Sequence, residues 1–245
     1  MRVPRARAEE ARGVMVQLFP EGFEETEHDR DIELAAYTTP GGEERLWHVF
    51  GPGAARDVAP GWEDAWKRFH RPVRVGRLWV GPPWEEPDAG ALAVVIDPGG
   101  AFGTGAHPTT RLCLELMLEL KSSSFVDLGC GSGVLAIAAA KLGFEPVYAL
   151  DDEEAAVSAV RGNAAANGVV VQALRADVLN DSLPDASVAA VNITRALTES
   201  VAVRVGATTL VASGYVSSER PDLAGWRHEA RKEREGWAAD LFQRD

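Results

Sequence analysis

The second half of the chain alternates between short apolar runs and longer amphipathic segments. Each apolar run has the length of a buried strand, and most are followed by a segment whose apolar residues recur at helical spacing. Strands that alternate with helices predict a parallel sheet with helices packed on its faces. The predicted strands are 94–96, 125–128, 147–150, 169–174, 188–191 and 208–212. One predicted helix begins at about Thr109, and three others cover 134–141, 152–167 and 195–204.

The end of the chain departs from this alternation. Ser213-Gly214 predicts a turn, residues 217–230 predict a helix, and 232–235 with 237–242 predict a closing antiparallel pair of strands. We therefore expect residues 91–245 to form one α/β domain.

The first 55 residues predict a smaller α+β domain. The pattern predicts a helix at 6–18, a hairpin of 23–27 with 31–37 around His28-Asp29-Arg30, and a strand at 46–50. Residues 56–90 are predicted to connect the two domains. In this connector Trp62 and Trp66 lie one helical turn apart, which favours packing of one domain on the other.

The most informative stretch is Val126-Asp127-Leu128-Gly129-Cys130-Gly131-Ser132-Gly133. Strand, glycine turn and helix in this order form nucleotide sites, because glycine lets a ligand approach bare backbone and the helix start offers N–H donors. A dinucleotide fingerprint would need glycine where this chain has Val134, and the phosphate-loop motif is absent. The Asp127 carboxylate would repel a pyrophosphate but suits a cationic ligand group. The pattern therefore favours S-adenosylmethionine, which has an α-amino group and a sulfonium, over NAD.

Three more polar residues end predicted strands. Asp151 lies 22 residues after Gly129, a separation at which a carboxylate can take ribose hydroxyls. Asp177 is placed to meet an adenine amino group, and Asn192 ends the strand at 188–191. Ligands bind at the carboxyl ends of parallel strands, so we expect these side chains to lie near Asp127.

A second glycine-rich segment precedes the first predicted helix of this domain. Residues 99–105 contain four glycines and can wrap closely around a ligand. Thr109 or Thr110 is predicted to cap the helix that follows. His107 has the chemistry of a base or a metal ligand, but no partner stands at ligand spacing. A structural or hydrogen-bonding role is therefore favoured.

Composition limits the class of partner and the compartment. The net charge of −12 argues against general nucleic-acid binding, which needs a basic face. The charge is compatible with a basic partner attracted from a distance, and equally with simple solubility. Two cysteines give neither a disulfide framework nor a zinc spacing. The absence of a signal-peptide core and of a membrane-length apolar run favours a cytoplasmic protein.

Two motifs of this chain resemble the ribosomal protein L11 methyltransferase (PrmA) family. They are Asp97-Pro98-Gly99-x-Ala101-Phe102-Gly103-Thr104-Gly105-x-His107-x-Thr109-Thr110 and Asp127-Leu128-Gly129-Cys130-Gly131-Ser132-Gly133-Val134, accompanied by Asn163 through Asn167-Gly168 and by Asn192-Ile193. The resemblance is close over residues 60–245 and loose over the first 55.

The resemblance implies a Rossmann-like, seven-stranded class I methyltransferase domain behind a small ferredoxin-like domain that recognises the substrate. It implies S-adenosylmethionine as cofactor, S-adenosylhomocysteine as product and no metal. The implied substrate is a basic ribosomal protein of the large subunit, methylated on lysine side chains and its α-amino group by a monomeric enzyme. The expected cofactor contacts are Phe102, Gly103, Thr110, Asp127, Gly129, Gly131, Asp151, Asp177 and Asn192.

For the reaction we expect in-line displacement at the sulfonium methyl group by an amine. Asn192 is expected to orient the amine, and Thr104 and His107 lie on a segment expected to close over the reaction. Two departures from the family pattern leave other acceptors open: Thr194-Arg195 replaces the usual Leu-Ala beside the expected entry of the substrate amine, and the N-terminal domain is short. A further departure, Asp151-Asp152-Glu153-Glu154, keeps the first carboxylate but lacks the usual proline. The alternatives are a methyltransferase acting on a different protein or a small molecule, and a catalytically silent S-adenosylmethionine-binding adaptor.

Overall fold

The chain divides into two compact units, Met1–Glu63 and Asp64–Asp245. The computed structural model describes residues 1–8, 11, 14–15, 24–28, 30–36, 46–51, 70–97 and 105–245.

The first unit contains a three-stranded antiparallel sheet in the order β1-β3-β2. Its strands are β1 (Arg2–Pro4), β2 (Glu24–Glu27) and β3 (Asp31–Ala35). The predicted hairpin is confirmed, since β2 pairs with β3 from Glu24↔Ala35 to Glu27↔Ile32. Residues 5–7 form a 3₁₀ turn, and residues 8, 11, 14 and 15 are helical. Met15, Ile32 and Leu34 are the most buried side chains of the described part of this unit.

The strand predicted at residues 46–50 is wrong, because these residues are helical. Leu46 and Phe50 lie four residues apart and both pack against the core of the first unit, as neighbours on one helix face do. Trp47 and Val49 are exposed. Gly51 ends the helix with φ 82°, and its N–H donates to the Trp47 carbonyl at 2.8 Å.

The second unit begins with a small sheet and continues with a large one. The small sheet contains β4 (Val73–Val75), β5 (Leu78–Gly81) and β6 (Leu92–Val95), in the order β4-β5-β6. The helices are α1 (Pro108–Met117), α2 (Val134–Lys141), α3 (Glu154–Asn167) and α4 (Arg195–Ala202). The strands of the large sheet are β7 (Phe125–Leu128), β8 (Val147–Asp151), β9 (Gln172–Arg175), β10 (Val188–Asn192), β11 (Thr209–Val216), β12 (Trp226–Arg234) and β13 (Trp237–Arg244).

The large sheet has seven strands in the order β12-β13-β11-β10-β7-β8-β9. Strands β7 to β11 are parallel, and β13 is antiparallel to both of its neighbours. Side chains alternate across the sheet, so Phe125 packs in one core with α1, α2 and α3, while Val126 and Leu128 pack in a second core with α4. This is the Rossmann-like class I methyltransferase fold, as predicted.

Two predictions for the end of the chain are wrong. Strand β11 continues through Ser213-Gly214 to Val216, with a bulge there instead of a turn. The helix predicted at 217–230 is absent, and most of β12 occupies its second half. β12 is rich in Glu and Arg, which favour helices. Its pairing with β13 from Trp226↔Arg244 to Arg234↔Trp237 overrides that preference. Charged side chains are also common on sheet edges such as β12.

A buried acidic side chain joins β11, β12 and β13. Asp240 is fully buried, and its Oδ2 accepts hydrogen bonds from Arg231 and Tyr215, each at 2.8 Å. Its Oδ1 lies 2.8 Å from Nε2 of His228. Arg231 also donates to the Ser217 carbonyl at 2.8 Å, so this cluster holds the connection after β11 in place.

Candidate functional site

The polar residues predicted from the strand ends lie at one edge of the large sheet. Asp127 is on β7, Asp151 ends β8 and Asn192 ends β10. Strand β7 pairs in parallel with β8 on one side and with β10 on the other. Because their carboxyl ends share an edge, the glycine turn after β7 has Asp151 on one side and Asn192 on the other.

The glycine turn between β7 and α2 requires glycine for two reasons. Gly129 and Gly133 have φ values of 76° and 80°, which L side chains rarely adopt. A Cβ atom at Gly129 would lie 2.8 Å from the side chain of Ile193, and one at Gly133 would lie 2.9 Å from that of Val160. Glycine at these two positions therefore allows a tight turn in which a side chain would collide with its packed neighbours.

Asp151 holds the glycine turn through one carboxylate oxygen and the residue before α3 through the other. Its Oδ2 accepts from the N–H of Gly131 at 2.9 Å, and its Oδ1 accepts from the N–H of Glu153 at 3.1 Å. The missing proline of the family pattern falls at Glu154, the first residue of α3. Proline is common at that position because its missing N–H would be unpaired there in any case. This departure therefore leaves the bonds of Asp151 intact.

Asp127 is a buried carboxyl group at the start of the site. It is 1% exposed, and its Oδ2 accepts from the N–H of Ala136 at 3.2 Å. Burial raises the pKa of Asp127 to about 7, against the opposing effect of the Ala136 hydrogen bond, and the charge of Asp151 raises it further. A cation beside Asp127 would favour the charged carboxylate.

Asp177 lies beyond β9, next to the end of β8. Its Oδ1 accepts from the N–H of Leu179 at 2.8 Å and its Oδ2 from the side chain of Asn180 at 2.6 Å. These hydrogen bonds, that of Asn180 first, lower the pKa of Asp177. The carboxylate therefore stabilises its own turn, and the adenine contact stays a prediction.

Asn192 and Thr110 are brought together across 82 residues of sequence. Nδ2 of Asn192 donates to Oγ1 of Thr110 at 3.3 Å. Thr110 is buried in the first turn of α1. The bond links the end of β10 to the helix that follows the second glycine-rich segment.

His107 is the N-cap of α1, so the caps predicted at Thr109 and Thr110 are wrong. Its Nδ1 accepts from the N–H of Thr109 at 3.4 Å and lies 2.7 Å from the Thr109 hydroxyl. The helix begins at Pro108, where the missing N–H costs nothing. The imidazole packs edge-on against Trp237, with 5.0 Å between ring centroids. These contacts are structural.

The predicted residues Phe102, Gly103 and Thr104, like Trp62 and Trp66, lie outside the described residues.

The residues directly after Asn192 are held in place by a helix cap and two ion pairs. Thr194 caps α4 by accepting from the N–H of Leu197 at 3.4 Å. Arg195 pairs with Glu199 at 2.6 Å and with Glu219 at 3.3 Å, which ties α4 to the connection after β11. These carboxylates raise the pKa of Arg195. Glu199 lies four residues after Arg195 in the predicted helix, a spacing that indicates an ion pair. Glu219 lies in the segment wrongly predicted to be helical, so its contact had no sequence signal.

Two buried asparagines of α3, Asn163 and Asn167, connect distant segments of the second unit. Asn163 donates to the carbonyl of Ser132, within the glycine turn, at 3.0 Å. Asn167 pairs with the backbone of Val95 at the end of β6. The only sequence signal was their spacing on one face of the predicted helix.

Within the described parts of the chain, no helix is long and apolar enough to span a membrane. In the same residues, no group of three His, Cys, Asp or Glu side chains is arranged to hold a metal ion.

Comparisons with known proteins agree on one family. The model of the family described as ribosomal protein L11 methyltransferase (PrmA) matches residues 25–245. A ribosomal protein L11 methyltransferase of Vibrio campbellii is 50% identical over 115 residues, which are 45% of this chain and 39% of that protein. One of Tolumonas auensis is 51% identical over 112 residues, 44% of this chain and 38% of that protein. The matched segment thus spans well under half the length of these relatives.

A solved structure is similar over a larger share of the chain. The crystal structure of a ribosomal protein L11 methylase from Lactobacillus delbrueckii subsp. bulgaricus superposes with a TM-score of 0.63 at 25% identity. The superposition covers 72% of this chain and 98% of that one.

Proposed function

This chain belongs to the ribosomal protein L11 methyltransferase (PrmA) family, and from that premise we propose that it transfers methyl groups from S-adenosylmethionine to amino groups of a ribosomal protein of the large subunit. The acceptor amines are lysine side chains, the N-terminal amine or both, and L11 itself is the first candidate. We further propose that the enzyme is monomeric and cytoplasmic and does not bind nucleic acid directly.

The observation that supports this proposal best is the glycine turn with its two acidic neighbours. The buried Asp127 has a raised pKa and gains from a cation beside it, and S-adenosylmethionine has two cationic groups. Gly129 and Gly133 have positive φ values, and a side chain at either would collide with Ile193 or Val160, so the tight turn depends on glycine. Asp151, at the end of the next strand, is placed for the ribose hydroxyls. The residues present therefore fit this cofactor, which supplies an electrophilic methyl group when bound.

Asn192 is proposed to position the acceptor amine. Its Nδ2 donates to Thr110, so the amide offers its Oδ1 to accept an N–H of the amine and to direct the nitrogen lone pair. A lysine of ordinary pKa, about 10.4, is only about one part in a thousand neutral at pH 7. Burial of the amine near a cationic ligand lowers that pKa and favours the reactive form. We assign no dedicated base, and positioning supplies much of the rate.

The second glycine-rich segment completes the proposed site. Phe102 and Gly103 are proposed to contact the cofactor, and Thr104 to lie beside the reacting groups. His107 contributes by capping α1, the helix that holds Thr110. Gly131 and Asp177 are proposed as further contacts, through the glycine turn and the adenine amino group respectively.

The net charge of −12 is compatible with a basic protein as acceptor, because opposite charges speed the encounter of the two molecules. A different acceptor is the second candidate. The ion pairs of Arg195 with Glu199 and Glu219 motivate it, since they lie beside the proposed amine position where the family pattern has Leu-Ala.

The test is methyl transfer from radiolabelled S-adenosylmethionine into purified large-subunit ribosomal proteins from the same source. We expect one labelled protein, the L11 homologue, and no label with Asp151→Ala, which removes a proposed cofactor contact. Label in another protein or a small molecule would select the second candidate. Calorimetric binding of S-adenosylmethionine without any transfer would identify a silent adaptor and overturn the enzymatic proposal.

A further inference from the structure

Two asparagines on one face of α3 are buried, although amide side chains usually remain in contact with water. Asn163 is 4% exposed and Asn167 is 8% exposed. They lie four residues apart, so both project from the same face of the helix. A buried amide without partners destabilises a protein, and each of these two has partners in several segments.

Asn163 joins the glycine turn to the end of β6. Its Nδ2 donates to the carbonyl of Ser132 at 3.0 Å. Its Oδ1 accepts from the N–H of Asp97 at 3.0 Å. The partners lie 31 and 66 residues away in sequence. One short amide therefore uses its donor and its acceptor on two separate segments of the second unit.

Asn167 makes a different connection. Its Oδ1 accepts from the N–H of Val95 at 2.9 Å, and its Nδ2 donates to the carbonyls of Val95 at 2.6 Å and Asn163 at 2.8 Å. It thereby pairs both backbone groups of one residue of β6. None of these bonds reaches the glycine turn, so Asn167 provides a matched structural control for Asn163.

The glycine turn is thus held at two of its peptides, Cys130–Gly131 and Ser132–Gly133. Asp151 accepts from the N–H of Gly131, and Asn163 donates to the carbonyl of Ser132. The Ser132–Gly133 peptide is planar, so a fixed carbonyl also fixes the N–H of Gly133. That N–H donates to the Cys130 carbonyl at 2.8 Å and closes the turn directly before α2.

We propose that Asn163 is a positioning residue for cofactor binding. It sets the orientation of the Ser132–Gly133 peptide and hence of the backbone N–H groups at the start of α2. This inference rests on the proposed function, since it concerns the same cofactor. Aspartate cannot replace the residue, because it would place an acceptor against the Ser132 carbonyl. Leucine, of similar size, offers neither bond.

The test compares Asn163→Asp with Asn167→Asp. Asn163→Asp keeps an oxygen that accepts from the N–H of Asp97, and Asn167→Asp keeps one that accepts from the N–H of Val95. Each variant loses the side-chain NH₂ donor. The dissociation constant for S-adenosylhomocysteine is measured by calorimetry, and the free energy of unfolding by urea titration. We expect Asn163→Asp to weaken binding by roughly tenfold or more, the usual effect of an unpaired buried group. Asn167→Asp should change binding by less than about twofold at a comparable loss of stability.

Hydrogen exchange of the amides at 133–135 gives a second readout that is independent of affinity. We expect faster exchange there in Asn163→Ala than in Asn167→Ala. The two alanine variants also replace the aspartate variants in the binding comparison if the latter do not fold. Equal binding by the two aspartate variants, or normal binding by Asn163→Asp despite lost stability, would overturn the positioning role while leaving the proposed function intact. Failure of the wild-type protein to bind S-adenosylhomocysteine or S-adenosylmethionine would overturn both proposals.

Discussion

Replacing Asp127 by asparagine should stabilise the ligand-free protein at neutral pH and weaken its binding of S-adenosylmethionine. Asparagine has the same shape and keeps an oxygen that can accept from the N–H of Ala136. It removes the charge that burial penalises. The same charge is the group proposed to attract the cationic cofactor.

The size of the stability effect follows from the pKa of Asp127. That pKa lies at about 7 in the folded protein, against an ordinary 3.8. Between these values the folded state binds more protons than the unfolded state, so stability falls as pH rises through this window. At about 1.36 kcal/mol per pH unit, the free energy of unfolding of the wild-type protein falls by at most about 4 kcal/mol from pH 4 to pH 7.5. The amide introduced by Asp127→Asn does not titrate, so the variant lacks this loss.

Binding should show the opposite dependence on pH. Protonation of Asp127 removes the charge, so wild-type affinity for S-adenosylmethionine should fall roughly eightfold from pH 7.5 to pH 6 when the pKa is about 7. The α-amino group of the ligand stays largely cationic over this range. Asp127→Asn should bind roughly tenfold to a hundredfold more weakly at pH 7.5, as expected for a lost charge-assisted hydrogen bond, and without this pH dependence.

Urea titrations of both proteins at pH 4.5, 6 and 7.5, with calorimetry of S-adenosylmethionine at the two higher values, measure these effects. A variant less stable than wild type at pH 7.5, or a stability difference that stays constant with pH, would refute the assignment of a penalised buried charge. Unchanged affinity in the variant would separately refute the role of Asp127 in binding the cofactor.

Three further substitutions test other parts of the second unit. Asn192→Ala should lower kcat roughly a hundredfold with S-adenosylmethionine still bound, and intact turnover would contradict its role in positioning the amine. His107→Ala should lower the free energy of unfolding by about 1 kcal/mol through the lost N-cap; a large loss of kcat in the fully folded variant would instead indicate a base. Asp240→Asn should destabilise the protein by roughly 3–5 kcal/mol in urea, because Arg231 loses its buried partner, and a loss below about 1 kcal/mol would show that His228 and solvent compensate.

Local signals predicted the central part of the fold. The strand at 125–128 and the helix at 134–141 have the predicted bounds, because a buried apolar run, glycines and an alanine-rich segment follow each other there without competing signals. The position of Asp127, Asp151 and Asn192 at one edge followed from a general property of parallel strands.

Errors arose where distant partners decide the structure. β12 has the composition of a helix, and only its pairing with β13 makes it a strand. Residues 46–50 show little alternation of apolar and polar side chains. The packing of Leu46 and Phe50 depends on the core of the first unit, which is formed by residues distant in sequence. The contacts of Asn163 span 31 and 66 residues, so no local pattern could indicate them.

The order of the strands has a consequence for biosynthesis. β13 follows the other six strands in the chain but lies inside the sheet, between β12 and β11. A ribosome delivers the chain from its N-terminal end, and earlier segments can begin to fold first. Until residues 237–244 emerge, the β11 edge lacks its partner and Arg231 lacks Asp240. A nascent chain stalled before residue 237 would thus expose an open strand edge, which chaperones and aggregating chains can engage. The sheet can therefore be completed only after residues 237–244 have emerged.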